Sequence, residues 1–275
     1  MLQSIKKLIF QLTPPLLILW YRKYWVKIDN RVFDGVYQDL NSVPDITEYD
    51  TTEALNTDRL EVLEEIEQYD SGEYLPASHI RSQITNLLPL LIASVSVSGK
   101  KNILDYGGGM GSSYINCLKM LDSSIEFSYF IQDLPETMAA GRQILNEIRS
   151  EDHRIRFIDD FSELSNIDIV YLGSVIQYLP DYKNVLLSMV KKEPEFVLIT
   201  DNFMGTHSTY ATAQVNMAGR RMAYWIFELN EIVDFFNDNG YKLLCKSSNH
   251  QPFHNFNNFP EEYRVADSCN LLFRR

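Results

Sequence analysis

The sequence predicts an α/β protein: a mostly parallel sheet wound with helices, closed by an antiparallel carboxyl-terminal strand and preceded by a helical amino-terminal cap. Three observations predict it. Short apolar runs alternate with helical segments from Lys101 onward, the pattern of a parallel sheet covered on both faces. Four glycines at positions 107–111 join the first of those runs to a helix. Two late apolar runs follow one another with no helix between them, which makes them antiparallel neighbours. On this pattern the chain divides into residues 1–99, mainly helical, and residues 100–275, which carry the sheet.

Of the 275 residues, 37 are Asp or Glu and 25 are Lys or Arg, a net charge of −12. A protein that grips a polyanion needs a surplus of Lys and Arg, so nucleic acid is excluded as the main partner. The three cysteines, Cys117, Cys245 and Cys269, are odd in number and far apart. They form neither a disulfide framework nor a CxxC metal site, which suits a reducing, cytoplasmic setting. The charge is uneven. Residues 1–27 carry Lys6, Lys7, Arg22, Lys23 and Lys27 and no acid, whereas residues 28–75 carry fourteen acids and two bases. Within the basic segment, the apolar stretch Leu8–Trp20 is 13 residues long and broken by Gln11, Thr13 and Pro14-Pro15. A membrane span needs about 20 apolar residues, and no small-residue cleavage site follows. Ile5, Leu8, Ile9 and Leu12 share one helical face. That face fits a helix packed on its own domain, or an amphipathic foot at the inner face of an anionic membrane, and both readings stay open.

Gly35, in FDGVYQDLNSV at residues 33–43, marks a loop. Residues 57–69 set Leu60, Leu63 and Ile66 at helical spacing among acids, a solvated helix in an acidic region expected to cover the acceptor site. Residues 78–95 predict another helix, which Pro89 should kink or split. The predicted strands beyond it are 102–106, 127–132, 154–158, 167–173, 196–200, 241–245 and 268–273. The predicted helices are 114–121, 135–149, 179–191 and 230–239, the last stopped by Gly240. Residues 206–228 read as an insertion before that last helix.

The glycine turn, Asp105-Tyr106-Gly107-Gly108-Gly109-Met110-Gly111-Ser112-Ser113-Tyr114, is the most informative stretch. Glycines serve where a ligand lies against the backbone, and the helix start behind them offers free N–H groups. The GxGxxG dinucleotide fingerprint fails in every register: it ends on Ser112 or Tyr114, or breaks at Met110. An acid two residues before the first glycine suits a cofactor with an amino group near the turn and repels a pyrophosphate. A nicotinamide-dependent oxidoreductase is therefore the disfavoured alternative.

Residues 101–273 resemble the class I S-adenosylmethionine-dependent methyltransferases, in order along the chain. The resemblance implies a Rossmann-like fold and S-adenosyl-L-methionine as cofactor. It implies that Asp105, Gly107, Gly109 and Gly111 hold its methionine part and that Asp133, in FIQDLP, binds the ribose hydroxyls. Asp160, in Asp159-Asp160-Phe161, matches the position that contacts the adenine amino group, although the glycine usual before it is missing. Gln177, in SVIQYLP, falls in the segment that lines the cofactor and methyl-transfer cleft. FDGVY, GGGMGSSY and SVIQYLP together look like an uncharacterised bacterial methyltransferase subfamily associated with cell-surface polysaccharide genes.

The implied reaction is O-methylation of a small-molecule or glycan acceptor. His207, just beyond the fifth strand of the sheet domain, is the candidate general base. Asp201, Tyr210, Gln214 and Arg220 are candidates for acceptor binding. Arg220, Arg221, Tyr224 and Trp225 would suit a sugar bearing an acidic group, or would pack the amino-terminal region over the cleft. His250 and His254 are four apart with Pro252 between them, which argues against a helical metal face, and no metal is expected. The alternative to an enzyme is a cofactor-binding scaffold in polysaccharide assembly. Oligomeric state has no sequence signature here.

Overall fold

The computed structural model describes residues 32–47, 52–71, 86–96, 99–149, 152–216, 220–249 and 256–275. The basic segment 1–27, residues 78–85 of the expected helix, His250 and His254 lie outside them. In chain order the elements are β1 (Phe33–Tyr37), α1 (Thr52–Ser71), α2 (Leu87–Val95), β2 (Lys101–Tyr106), α3 (Ser112–Met120), β3 (Phe127–Gln132), α4 (Pro135–Arg149) and β4 (Ile155–Phe157). There follow β5 (Ile169–Gly173), α5 (Tyr182–Val190), β6 (Phe196–Gly205), β7 (Tyr210–Gln214), β8 (Met222–Glu228), α6 (Leu229–Asp238), β9 (Lys242–Asn249) and β10 (Ser268–Arg274).

One sheet of ten strands runs β1-β7-β8-β6-β5-β2-β3-β4, with β10 on β6 and β9 on β10. Strands β4, β3, β2, β5 and β6 are parallel, and β10 is antiparallel to both β6 and β9. That is the expected mostly parallel sheet with a reversed carboxyl-terminal strand. Its central strands β2, β3, β5 and β6 are buried on both faces, because they are apolar at most positions. Leu104, Val170, Leu172, Val197 and Ile199 pack against α5 and α6 through Leu186, Met189, Ile232 and Phe236. Ile103, Tyr129, Ile131, Ile169 and Leu198 pack the other way, against α2, α3 and α4. The acidic helix α1 adds Val62 and Ile66 to this second core and lies on α3 and α4.

Three differences from the sequence reading have physical causes. The loop expected around Gly35 is strand β1, antiparallel to β7 and bulged between Asp34 and Tyr37. Gly35 sits in that bulge at φ 80°, where a Cβ would stand 2.5 Å from the Tyr37 hydroxyl. Residues 206–228, expected as an insertion, are the strands β7 and β8, which with β1 form a wing beyond β6. Their alternation was hidden because both wing faces are covered, one by Leu40 and Val43 and the other by Phe256, Phe259 and Val265. Of the helix expected over residues 78–95, the described part is α2, which runs unbroken through Pro89. That proline occupies the first turn, where a missing N–H costs nothing because that amide has no intrahelical partner.

Candidate functional site

The strand order reverses between β2 and β5: the chain goes outward through β3 and β4, then returns to the other side of β2. In open α/β sheets ligands gather at such a point, outside the carboxyl ends of the strands. Here that crevice is bounded by the glycine turn after β2 and by Ser174–Tyr178 after β5. The two touch, since a Cβ on Gly107 would collide with the Val175 side chain. Gly107, Gly109 and Gly111 all have positive φ, of 75°, 59° and 105°, and Gly111 caps α3. A Cβ on Gly109 would meet nothing within 4 Å, so this turn has open space above it.

Acidic side chains brace the turn from two sides. The Asp133 carboxylate, just past β3, accepts the Gly109 N–H at 2.7 Å through one oxygen and the Leu134 N–H at 2.6 Å through the other. Asp105 is wholly buried on the α3 side of β2. One of its oxygens accepts the Tyr129 hydroxyl at 2.7 Å, and the other is buried with no partner. Gly108 lies against it, since a Cβ there would be 2.5 Å from the carboxylate. Burial pushes the Asp105 carboxyl up to about 7; the Tyr129 bond holds it down in part, and Asp133 adds to the rise.

On the far side of β3, Asp160 caps the short turn Phe161–Glu163 by accepting the Ser162 N–H at 2.7 Å and the Ser162 hydroxyl at 2.6 Å. Those bonds hold its carboxyl below the usual range. The sequence reading missed Gln132. Its side-chain oxygen accepts the Phe161 N–H at 2.8 Å while its carbonyl accepts the Gly107 N–H at 2.8 Å, tying this turn to the glycine turn. Phe161 then stands edge-on to Tyr106, with ring centroids 6.0 Å apart. A strand-end Gln has no local signature, so only the fold reveals its role.

Two non-glycine residues with left-handed backbone, Ser174 (φ 54°) and Asp201 (φ 56°), mark the carboxyl end of β5 and the register irregularity between β6 and β10. Such conformations persist where surrounding structure imposes them, and they cluster at functional sites. Thr200 joins the two, its carbonyl accepting the Ser174 N–H at 3.0 Å and the Asn202 amide at 2.8 Å. Gln177 is fully buried and donates to the Ser174 hydroxyl at 2.8 Å, and its oxygen is an unpartnered acceptor. The Asp201 N–H is held by Asn270 at 3.0 Å.

The remaining expected residues divide between cleft and wing. Gln214 accepts the Tyr178 hydroxyl at 2.6 Å and donates to Asn216 at 3.0 Å, and Trp225 donates to the Leu179 carbonyl at 3.1 Å. The wing is therefore bonded to the turn after β5. Tyr210 turns into the wing core instead, donating to the Tyr263 carbonyl at 2.6 Å. Arg220 is half-buried at the start of β8. Its neighbour Arg221 is committed to the protein, donating to the Asp34 carboxylate at 3.1 Å and the Pro44 carbonyl at 2.9 Å. His207 bonds the Ser208 carbonyl at 3.0 Å through Nδ1, and its ring lies 5.0 Å from that of Tyr210. Its Nε2 is buried beside Gly205, without a partner. Among the described residues no group of three or more His, Cys, Asp or Glu is arranged to hold a metal, and no helix is long and apolar enough to cross a membrane.

No protein-family model and no curated protein matches this sequence. Solved structures do match the fold. Magnesium protoporphyrin IX methyltransferase from Synechocystis PCC 6803, with bound S-adenosylmethionine, superposes with a TM-score of 0.51 at 12% identity over 83% of this chain and 100% of that one. The same enzyme with S-adenosylhomocysteine gives 0.52 at 12% identity, over 82% and 100%. An uncharacterised protein of Burkholderia thailandensis gives 0.51 at 12% identity, over 84% and 95%. The sheet order, the reversed β10 and these superpositions agree: the chain has the Rossmann-like fold of the class I methyltransferases.

Proposed function

We propose that this chain is an S-adenosylmethionine-dependent methyltransferase that methylates an oxygen of a small-molecule or glycan acceptor. One observation carries the reading: the left-handed glycine turn, braced by Asp133 at Gly109, opens at the switch point of a sheet whose fold matches an enzyme solved with that cofactor and with its product. The residues present fit the group. The open space over Gly109 leaves room for a ligand against the backbone. Asp105 and Asp133 set carboxylates against the turn, and Gln177 offers a free acceptor oxygen, an environment for a cation rather than a pyrophosphate.

When bound, the cofactor supplies a methyl group already activated by its sulfonium. The chain has to orient the acceptor and exclude water. Gly107, Gly109 and Gly111 would lie along the methionine part, Asp133 beside the ribose, Asp160 and the Tyr106–Phe161 pair near the base, and Gln177 near the methyl. The Ser208 carbonyl can only accept, so His207 donates through Nδ1, which leaves Nε2 as the ring atom that would take a proton from an acceptor hydroxyl. Asp201, Gln214 and Arg220 are the acceptor-side residues.

Calorimetric titration with S-adenosylmethionine, S-adenosylhomocysteine and NAD tests the cofactor. Binding of the adenosyl pair and not NAD, weakened by Asp133→Ala, is the expected result. No adenosyl binding by well-folded protein overturns the reading. An acceptor screen with radiolabelled methyl donor then separates an enzyme from a cofactor-binding scaffold.

A further inference from the structure

We propose that Tyr129 is a positioning residue whose hydroxyl keeps the Asp105 carboxylate oriented and ionisable beneath Gly108, and that cofactor binding is thereby linked to loss of a proton from Asp105. The inference rests on the cofactor reading above.

The geometry is specific. Asp105 pairs in register with Ile131 on one side and Tyr171 on the other, so its side chain is enclosed between the sheet and α3. Both of its oxygens lie under Gly108: the one that accepts the Tyr129 hydroxyl is 2.5 Å from where a Gly108 Cβ would stand, and the other, buried and unpartnered, is 3.0 Å from it. A carboxylate with an empty acceptor position in an apolar site favours its neutral form. Burial accordingly raises Asp105 to about 7, and the Tyr129 bond is the one cause among those resolved that opposes the rise.

The groups facing Asp105 leave it as the one that titrates near neutrality on the core side. Tyr129 from β3 and Cys117 from α3 are each pushed well up by burial, then by the Asp105 charge. Tyr171 from β5 is also raised by burial and then by Asp105. Asp133, from the segment after β3, adds negative charge. No cationic side chain is among these neighbours. A ligand that brings positive charge to the turn supplies the missing counter-charge, so Asp105 ionises as the ligand binds. Tyr129 touches no ligand itself and acts through Asp105. Its position, apolar-flanked in FSYFIQ, reads from sequence as plain core.

The test is the dissociation constant of S-adenosylmethionine for the full chain, measured by calorimetry from about pH 5.5 to about pH 8.5 in wild type, Tyr129→Phe and Asp105→Asn. In wild type the affinity should rise by up to about tenfold per pH unit and level off near the Asp105 midpoint. Without the hydroxyl, Tyr129→Phe should move that midpoint up by about one unit, so the two proteins differ about tenfold in acid and converge in base. Asp105→Asn should lose this limb and keep only the titration of the ligand's own amino group, near pH 8. A merely structural role for Tyr129 would weaken binding equally at every pH, and that result overturns the inference. Should Tyr129→Phe not fold, wild type alone decides. Titration at pH 7 in two buffers of different ionisation enthalpy should show release of about half a proton, and no release overturns the linkage. A wild type that binds S-adenosylmethionine with no Asp105-dependent pH effect sinks this inference alone, whereas no binding at any pH sinks the cofactor reading with it.

Discussion

The Asp133 carboxylate accepts the Gly109 amide across 24 residues of chain, at 2.7 Å, so the end of β3 fixes the height of the glycine turn. Removing that acceptor leaves the turn's backbone without its brace. Asp133→Ala should weaken S-adenosylmethionine binding by about 10- to 100-fold, the loss expected for a hydrogen bond to a charged group. Asp133→Asn keeps an acceptor oxygen and should lie between the two. Calorimetry on the three proteins checks the order. Equal affinities would show that Asp133 serves only as a local cap for Leu134.

Gly108 is the glycine of the turn whose need is steric, not conformational, because its φ is ordinary and a Cβ would meet the Asp105 carboxylate at 2.5 Å. Gly108→Ala should destabilise the fold by about 1–3 kcal/mol, the usual cost of overpacking. Shortening the acid in Gly108→Ala/Asp105→Ala should restore part of that loss. Urea denaturation of both single variants and the double variant reads the coupling, and strictly additive values would refute the contact.

The Tyr178 hydroxyl and Gln214 connect the cleft to the wing at 2.6 Å. Tyr178→Phe leaves the Gln214 oxygen without that donor in a largely buried place and should cost about 1–2 kcal/mol of stability. Cofactor affinity should stay unchanged while KM for the acceptor rises. A fall in cofactor affinity with no change in acceptor KM would move the wing from the acceptor side of the cleft to the cofactor side.

His207 donates to the Ser208 carbonyl through Nδ1, and its Nε2 is buried beside Gly205. Its imidazole must therefore turn outward to reach an acceptor. His207→Ala should lower kcat by about 100-fold or more, the usual contribution of a general base, with S-adenosylmethionine affinity intact. Unchanged kcat would remove it from the mechanism.

The sheet domain is legible because its central strands bury both faces and its helices one, so the pattern changes at each boundary. Phe127–Gln132 and Pro135–Arg149 were read to the residue. The wing was not legible. In β7, YATAQ is buried at every position with small residues among large ones, so it shows neither helical nor alternating periodicity. Its partner β1 hid behind Gly35, a turn residue by propensity that here serves a bulge. In the site, the glycines and Asp133 stood out by type and spacing. Gln132, Tyr129 and Val175 did not, because their roles are contacts between segments far apart in sequence. By type Arg221 fits an anion ligand or a packing contact with the amino-terminal region equally well, and its bonds to Asp34 and Pro44 commit it to the second.

Asp105 also makes stability depend on pH, with a definite sign. Burial raises its carboxyl to about 7 in the folded protein, against about 4 in an unfolded chain. Between those values the folded state holds a proton that the unfolded state has lost. Stability should therefore fall as pH rises from about 4 to about 7 and be level above that. Glu231 acts the other way: its burial is outweighed by bonds to Lys183, Thr209 and Tyr182, so it is held below the usual range. Its stabilisation is present above the unfolded value and is lost as the folded carboxyl protonates in acid. The difference between wild type and Asp105→Asn isolates the first effect from the second. Urea midpoints across this range should show the variant gaining on wild type as pH climbs toward 7, then keeping a constant lead. Parallel curves at every pH would mean that Asp105 is ionised throughout and that some other group satisfies its second oxygen.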